Sequence, residues 1–356
     1  MSGRRRNGLS DGAAWVTHPW VAEGEQRVRF GVDGGSPRGD WPALLDWAQT
    51  VEELGFDSFW IGDHTTLSWR DCWTALTAVA TRTRRVRLGS LVSCVYYRPP
   101  GLLARMAADV DRLSGGRLVL GLGVGDIPPE FAQLGLSYPP LPERQAALAE
   151  TVEIVRGLWV DAPFTFEGAH FRVAEAAVRP GPVQEPHVPI LIAGGGERAT
   201  LGQVARYADV SNFGPSGATG SAWGLDDVRR KYAALREHCT RISRPYESVL
   251  RTFWCPMIVA KTEAGVQAKL DAMTGGPPLV EAARTPGMPR VLHTYHALLT
   301  PEPIPYIIVA GTPEDMTAYF RVLVDAGVRY VIVRPEGGAE TVRLVAEHVM
   351  PRFQTT

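Results

Sequence analysis

The chain has 356 residues, 45% of them hydrophobic and 21% charged, a composition typical of a globular protein with a large core. Its 37 basic and 38 acidic residues nearly cancel, so the charge balance favours neither nucleic acid nor an anionic membrane as a partner. The sequence has no apolar run of about 18 residues or more, and we therefore expect no membrane-spanning helix.

The N-terminal residues are basic, with Arg4, Arg5 and Arg6, but no apolar stretch follows them, which argues against a secretory signal. We interpret residues 1–26 as a polar, flexible N-terminal extension. The cysteines are scattered and form no C-x-x-C pair, which is typical of a reduced, cytoplasmic protein; they are Cys72, Cys94, Cys239 and Cys255.

Strand and helix patterns alternate from residue 27 onward. Apolar and polar residues alternate over residues 27–33, which predicts the first strand. Residues 41–54 carry an apolar face at helical spacing and end at Gly55, which favours a helix with a glycine C-cap. The same alternation predicts strands at residues 56–61, 86–92, 118–121, 189–192, 209–213, 249–260 and 329–333, and helices at residues 73–81, 101–113, 143–159, 199–207, 226–238, 313–326 and 339–349.

Repeated strand–helix pairs require parallel strands with right-handed crossovers. About eight pairs are present, so we predict an α/β fold in which residues 27–356 form one (β/α)₈ TIM barrel. An open, doubly wound sheet is the alternative. Residues 164–173 predict a small hairpin, and residues 274–305, rich in Pro and Gly, predict an irregular insertion at the C-terminal face.

Two early strand ends carry candidate chemistry, because active sites of such barrels lie where strands end. Asp63 and His64 follow the second strand, and a histidine there can exchange a proton near neutral pH. Ser90 and Leu91 follow the third strand, where the sequence alone predicts only the entry into a loop.

Two later strand ends are rich in glycine. The GLGVGD segment ends in Val124, Gly125 and Asp126, and Asp126 stands where a dinucleotide fingerprint needs glycine. The AGGG segment runs into a helix, where free amides and the helix N-terminus favour a phosphate; its residues are Ala193, Gly194, Gly195 and Gly196. His293-x-x-His296 lacks a third ligand, so we expect no metal site.

Taken together, these segments resemble the bacterial luciferase-like oxidoreductase superfamily. The resemblance rests on FDSFWIGDH, YRPPGLLARMAADVDRLSGGRLVLGLGVG, the FTFEGAHF hairpin, RPGPVQEPHVPILIAGGG, RYADVSNF and GTPEDM…DAGVRYVIV, in this order over roughly residues 27–335. The segments GGGERATL and KYAALREHCTRISRPYESV are most similar to the subgroup that uses the deazaflavin F420.

The resemblance implies a role for each strand end. It implies that His64 is the active-site histidine and Asp126 an acidic proton donor. Asp63, Ser90 and Leu91 would contact the cofactor, with a non-proline cis peptide at Ser90–Leu91 behind its ring. The phosphate tail would lie against Val124, Gly125 and the segment from Ala193 to Gly196. Many members of the subgroup have an aromatic residue where this chain has Asp126, which puts the substrate in doubt.

Three functions follow from this resemblance. The first is F420-dependent hydride transfer to or from a small organic substrate, with Arg98, Arg105, Arg144 and Arg198 as candidates for a basic rim. The second is an FMN-dependent monooxygenase that receives reduced flavin from a separate reductase and reacts with oxygen. The third is a flavin-binding protein without turnover. We expect a homodimer, and no nucleic acid or membrane partner.

Overall fold

Short apolar strands alternate with amphipathic helices throughout the computed structural model, which describes residues 15–34, 40–215, 221–273, 276–282, 285–296 and 304–353. The strands are β1 (Arg29–Asp33), β2 (Ser58–Ile61), β3 (Arg87–Ser90), β4 (Ser93–Cys94), β5 (Leu118–Gly123), β6 (Phe164–Glu167), β7 (Arg172–Ala176), β8 (Ile190–Ala193), β9 (Val210–Phe213), β10 (Leu250–Val259), β11 (Val280–Glu281), β12 (Arg290–His296), β13 (Ile304–Gly311) and β14 (Tyr330–Pro335).

The helices mostly follow the strands in sequence. They are α1 (Pro19–Gln26), α2 (Trp41–Glu53), α3 (Cys72–Arg82), α4 (Pro100–Ser114), α5 (Pro128–Gln133), α6 (Leu141–Trp159), α7 (Thr200–Tyr207), α8 (Leu225–Arg241), α9 (Glu263–Ala272), α10 (Pro313–Asp325) and α11 (Ala339–Leu344). Among the described residues, none of the helices combines the length and the apolar character needed to cross a membrane. The predicted hairpin is confirmed as the antiparallel pair β6–β7.

Eight of the strands form a closed parallel sheet. They pair in the order β1, β2, β3, β5, β8, β9, β10 and β14. β14 also pairs in parallel with β1, with Ile332 opposite Gly31, so the sheet has no free edge. This closure confirms the predicted (β/α)₈ barrel and excludes the open, doubly wound sheet, which would leave two edge strands.

Large side chains fill the inside of this barrel. Trp60 and Tyr330 are fully buried there, and a Cβ added at Gly89 would overlap the Trp60 ring. They pack with Val119, Leu191, Val210, Leu250 and Ile332. Four other side chains of this cluster are only partly buried; they are Leu91, Val92, Ala193 and Trp254. All four stand at or near the C-terminal ends of their strands, and we call the opening at this edge of the barrel the barrel mouth.

The N-terminal helix α1 packs against the opposite end of the barrel. Trp20 is buried with the barrel core, and its Nε1 donates a hydrogen bond to Asp57 Oδ2 at 3.0 Å. Arg29 in turn donates to the carbonyl oxygen of Trp20. The prediction of a flexible extension over residues 1–26 is therefore wrong for residues 19–26. The adjacent apolar residues Trp20 and Val21 stand in a polar stretch and give no helical periodicity in the sequence. Residues 1–14 of the predicted extension lie outside the described residues.

The segment after β10 contains regular structure where it is described. β12 and β13 form an antiparallel pair, and β13 adds in parallel to the outer end of β10, with Val309 opposite Met257. These strands and α9 bury a second core around Ile258, Leu292 and Ile308. The predicted irregular insertion is thus wrong for β12 and β13, because flanking prolines and glycines obscure two short strands.

The N-terminus of α10 offers a test of local stability. Thr312 accepts from the Asp315 N–H and Asp315 accepts from the Thr312 N–H, a reciprocal capping box. We expect Thr312→Ala to lower the free energy of unfolding by about 1 kcal/mol in urea titrations. Thr317→Ala, on the same helix, removes only a bond to the Pro313 carbonyl and serves as the control. Equal effects of the two substitutions would contradict the cap.

Candidate active site

A histidine–glutamate pair lies at the barrel mouth. His64 stands just beyond β2, and its Nδ1 is 3.2 Å from Oε2 of Glu130 in the first turn of α5. The His64 side chain is 41% exposed, whereas that of Glu130 is only 1% exposed. Glu130 also accepts hydrogen bonds from the Thr66 N–H at 3.0 Å and from the Tyr97 hydroxyl at 2.8 Å. The buried Glu130 carboxylate thus holds Nδ1 of His64, while the rest of the imidazole ring stays partly exposed.

These contacts fix the protonation of the pair. Burial alone would raise the pKa of Glu130, but hydrogen bonds from His64, Thr66 and Tyr97 outweigh it and lower that pKa. An ionised carboxylate only accepts hydrogen bonds, so Nδ1 of His64 carries the hydrogen that it shares with Glu130. Nε2 of His64 is then the nitrogen left for a substrate in the mouth.

The acidic surroundings also change the basicity of His64. Burial opposes the charged imidazolium, but the hydrogen bond and the charge of Glu130, with the charges of Asp126 and Asp63, raise the pKa of His64. A histidine with a raised pKa and an accessible Nε2 can donate or accept a proton near neutral pH. Asp126 itself is exposed just after β5, close enough for its charge to act on His64. The structure therefore brings both predicted catalytic residues to the same side of the mouth.

Asp63, next to His64, is buried and paired with an arginine. Its carboxylate is 1% exposed and accepts two hydrogen bonds from Arg98, at 2.5 and 3.1 Å. Arg98 also donates to Asp71, which caps the N-terminus of α3 through the Thr74 N–H. This network anchors the loop that carries His64. Its position favours a positioning role for Asp63 over the direct cofactor contact that the resemblance implies.

The end of β3 forms a bulge on the floor of the mouth. The buried Ser90 hydroxyl bonds to both the N–H and the carbonyl of Gly121, so its side chain ties β3 to β5. The non-proline cis peptide is Leu91–Val92, so the predicted position, Ser90–Leu91, is wrong by one residue. A Cβ at Gly121 would overlap the Ser90 carbonyl, and one at Gly123 would overlap Val92. Leu91, which is half-buried, is the residue that this bulge offers to a ligand.

The loop after β5 is held by an arginine. Arg144 donates to the carbonyl oxygens of Val124 and Gly125, and its guanidinium lies 4.0 Å from the centroid of the Tyr138 ring. Gly125 has φ +77°, and a Cβ there would meet the Phe131 ring. Val124 and Gly125 are half-buried at the mouth, as the predicted cofactor contact requires.

The end of β8 has the features of an anion seat. Gly194 has φ +115°, and no described residue accepts a hydrogen bond from the N–H of Gly195 or Gly196. The N-cap residue of α7 is Ala199, which has no side-chain acceptor to occupy the free amides of the helix. Arg198 beside them is exposed. Free amides, a helix N-terminus and a cation fit the phosphate of a bound cofactor, and Ala193 leads into this loop.

Sequence reasoning predicted four basic rim residues, and the structure leaves one of them for a ligand. Arg98 and Arg144 serve the networks above, and Arg105 donates to the carbonyl oxygens of Arg179 and Pro180. Arg198 alone of the four has no partner among the described residues. The sequence analysis did not identify Glu130 as the partner of His64. An acidic residue directly after Pro128–Pro129 indicates the start of a helix, and this signal could have placed Glu130 in the loop region near Asp126.

The comparisons with known proteins agree with this geometry. A profile of the luciferase-like monooxygenase family matches residues 26–350. The chain belongs to this family. The resemblance inferred from the sequence is confirmed, and the matched region includes each of the strand ends described above.

Two curated relatives carry different activities in their names. An F420-dependent glucose-6-phosphate dehydrogenase of Amycolatopsis mediterranei (strain U-32) is 28% identical over 327 residues, which is 87% of this chain and 94% of that protein. A 4-hydroxyprotoasukamycin monooxygenase of Streptomyces nodosus subsp. asukaensis is 28% identical over 235 residues, or 62% of each chain.

Solved structures show the same fold. An F420-dependent secondary alcohol dehydrogenase, in complex with an F420–acetone adduct, superposes with a TM-score of 0.72 at 19% identity and covers 92% of this chain and 99% of its own. The F420-dependent tetrahydromethanopterin reductase of Methanopyrus kandleri gives a TM-score of 0.73 at 19% identity, covering 92% and 100%. At these identities the similarity establishes the barrel and not the substrate.

Proposed function

We propose that the chain is an F420-dependent oxidoreductase that moves a hydride between the deazaflavin and a small organic substrate. The observation that carries this proposal is the similarity, over 94% of its length, to a relative named as an F420-dependent dehydrogenase. The His64–Glu130 pair supplies the proton exchange that such a reaction needs, and the β8 loop supplies a seat for the phosphate of the cofactor.

The residues of the mouth divide this work between them. F420, when bound, supplies a ring carbon that gives or takes a hydride. The amides of Gly195 and Gly196, with Arg198, would hold its phosphate, and Leu91 would support the ring. Nε2 of His64 takes the proton from a substrate hydroxyl during oxidation, or returns it during reduction. Glu130 keeps Nδ1 protonated, so Nε2 stays directed at the substrate.

An FMN-dependent monooxygenase is the second candidate, favoured by the relative named as a monooxygenase. In that case a separate reductase would supply reduced flavin, and the same β8 loop would hold a single phosphate. A flavin-binding protein without turnover is the third. The hydrogen-bonded His64, with its raised pKa, speaks against it, because simple flavin binding does not require a poised proton carrier.

Titration of the purified protein with each cofactor separates these candidates. We expect F420 fluorescence to report binding in the micromolar range, and FMN to bind far more weakly or not at all. Arg198→Ala should weaken F420 binding, because the cation beside the amides is lost, whereas the exposed Arg229→Ala on α8, whose guanidinium pairs with Asp226, is the matched control. Tight binding of FMN without F420 would overturn the proposal in favour of the monooxygenase.

We also propose that the enzyme is a cytoplasmic homodimer. The cysteines Cys72, Cys94, Cys239 and Cys255 are all free and buried, which is consistent with a reducing compartment. Sedimentation velocity at micromolar concentration measures the oligomeric state directly, and a monomer there would contradict the second half of this proposal.

A further inference from the structure

Exposed aromatic side chains are concentrated around the barrel mouth. Within the described residues, four exposed aromatic side chains lie between the end of a barrel strand and the first residue of the long helix that follows it; they are Trp41, Trp69, Tyr138 and Trp223. We call these four residues the aromatic rim. The remaining exposed aromatic side chain of the described residues, Tyr295, lies on β12. The exposed aliphatic residues Leu113, near the C-terminal end of α4, and Val183, before β8, lie toward the other end of the barrel. Exposed apolar groups collected at one opening mark a binding surface, whereas scattered ones need no explanation.

Several members of the rim come from different loops and are held in place. Trp69, 69% exposed, precedes Arg70, whose guanidinium lies 5.4 Å from the centroid of the Trp41 ring and donates to the Asp40 carbonyl. Tyr138 packs edge-to-face on Phe131 at 4.9 Å. The loops after β1, β2 and β5 thus present aromatic surfaces to the same opening.

On the side of the mouth away from β8, the described arginine Arg334 is paired with carboxylates. Arg334, at the end of β14, binds Asp33 at 3.2 Å and Glu336 at 2.8 Å. Asp33 also accepts a hydrogen bond from Trp254 Nε1 at 2.9 Å. Because two carboxylates face one guanidinium, this side of the mouth is acidic.

The other arginines near the mouth have protein partners as well. Arg98 binds Asp63 and Asp71, and Arg144 binds backbone carbonyls. A phosphate dianion is held by charge-assisted hydrogen bonds from free cationic groups. Among the arginines of the described part of the mouth, only Arg198 offers such a group, and it lies next to the loop that the proposed function assigns to the cofactor.

We propose that the substrate is an uncharged, planar molecule, such as a fused aromatic ring system, bound between the aromatic rim and His64, and not a sugar phosphate. The proposal rests on the proposed function, since it assigns the β8 loop to the cofactor. It separates this chain from its relatives named for glucose 6-phosphate: the sequence similarity extends over 94% of one such relative, whereas the charge of the substrate side suits a neutral ligand.

Isothermal titration calorimetry with two probes tests this inference on the protein saturated with F420. We expect 2-naphthol, a neutral bicyclic aromatic, to bind, and glucose 6-phosphate to give no heat of binding. Trp69→Ala and Trp223→Ala should each weaken 2-naphthol by about 3–10-fold, the loss expected for one aromatic contact. Leu113→Ala, which changes an exposed apolar residue near the C-terminal end of α4, should leave the affinity for 2-naphthol unchanged.

The outcomes distinguish this inference from the cofactor assignment. Binding of glucose 6-phosphate that inorganic phosphate displaces would overturn it, as would absence of 2-naphthol binding or wild-type affinity for 2-naphthol in both tryptophan variants. F420 affinity is measured separately and should not change in either variant. If F420 failed to bind while Trp69 and Trp223 still governed 2-naphthol affinity, the cofactor assignment would be wrong and the substrate class would stand.

Discussion

Replacing His64 with alanine should lower turnover by about 10²–10⁴-fold, the contribution of one positioned general acid–base group. Nδ1 of His64 bonds to Glu130, so Nε2 is the ring nitrogen that can exchange a proton with the substrate. Alanine removes this group and leaves Glu130 without the imidazole that it orients. Steady-state rates measured with F420 and a turned-over substrate give the change in kcat. Glu130 keeps its hydrogen bonds from Thr66 and Tyr97, so the variant should still fold, with a free energy of unfolding lower by about 1–3 kcal/mol at most.

A matched control for this substitution lies near the C-terminus. His348 is also a partly exposed histidine beside a glutamate, with Nε2 3.8 Å from Glu347, but it lies in the turn that continues α11. His348→Ala should keep full turnover. Unchanged turnover in His64→Ala would remove His64 from the chemistry, and an equal loss in both variants would point to a structural effect.

The sequence carries most of the information about the barrel, because strand–helix alternation is a local signal. β1 appears as an apolar–polar alternation and most other strands of the closed sheet as short apolar runs, with a helical pattern after them. The N-terminal helix escapes this reasoning, since its buried residues are only Trp20, Val21 and Gly24, too few to give a periodic apolar pattern. What makes that helix part of the fold is its contact with Asp57 and Arg29 across the end of the barrel, which no local pattern reports.

The candidate site was only partly predictable for a related reason. In a parallel barrel the C-terminal ends of all strands lie at one edge. The sequence therefore already assigns His64 and the glycine loops to the same opening. The partner of His64 is 66 residues away at Glu130, and their contact depends on the path of the loop after β5. Ser90 shows the same limit, since its strand register turns the hydroxyl into the sheet toward Gly121.

Glu130→Gln should lower kcat/KM by about 10–10²-fold and change its pH dependence. A charge-assisted hydrogen bond contributes about 1.5–3 kcal/mol, which corresponds to this range of rates. Glutamine retains the size of the side chain, but its NH2 group replaces one of the two carboxylate oxygens: either Oε2, to which His64 Nδ1 and Tyr97 bond, or Oε1, to which the Thr66 N–H donates. The neutral amide can thus present a donor or an acceptor to Nδ1 and no longer requires a hydrogen there. The imidazole would therefore lose its fixed tautomer.

The direction of the pH change follows from the charge that is removed. Glu130 stabilises the imidazolium and raises the pKa of His64, so the glutamine variant should have a His64 of lower pKa. When the substrate is oxidised, His64 must be neutral to accept the proton, and activity falls as the pH drops through its pKa. The acidic limb of the kcat/KM profile should thus move to lower pH in Glu130→Gln.

The control for this prediction is Glu153→Gln. Glu153 also accepts a hydrogen bond from a tyrosine hydroxyl, that of Tyr207 at 2.9 Å, but it lies on α6 away from the mouth. Its profile should coincide with the wild type. An acidic limb that stayed in place in Glu130→Gln would mean that another group, with Asp126 the nearest candidate, governs the proton transfer. A limb that moved to higher pH would contradict the electrostatic role assigned to Glu130, because removing a negative charge cannot make the imidazole more basic.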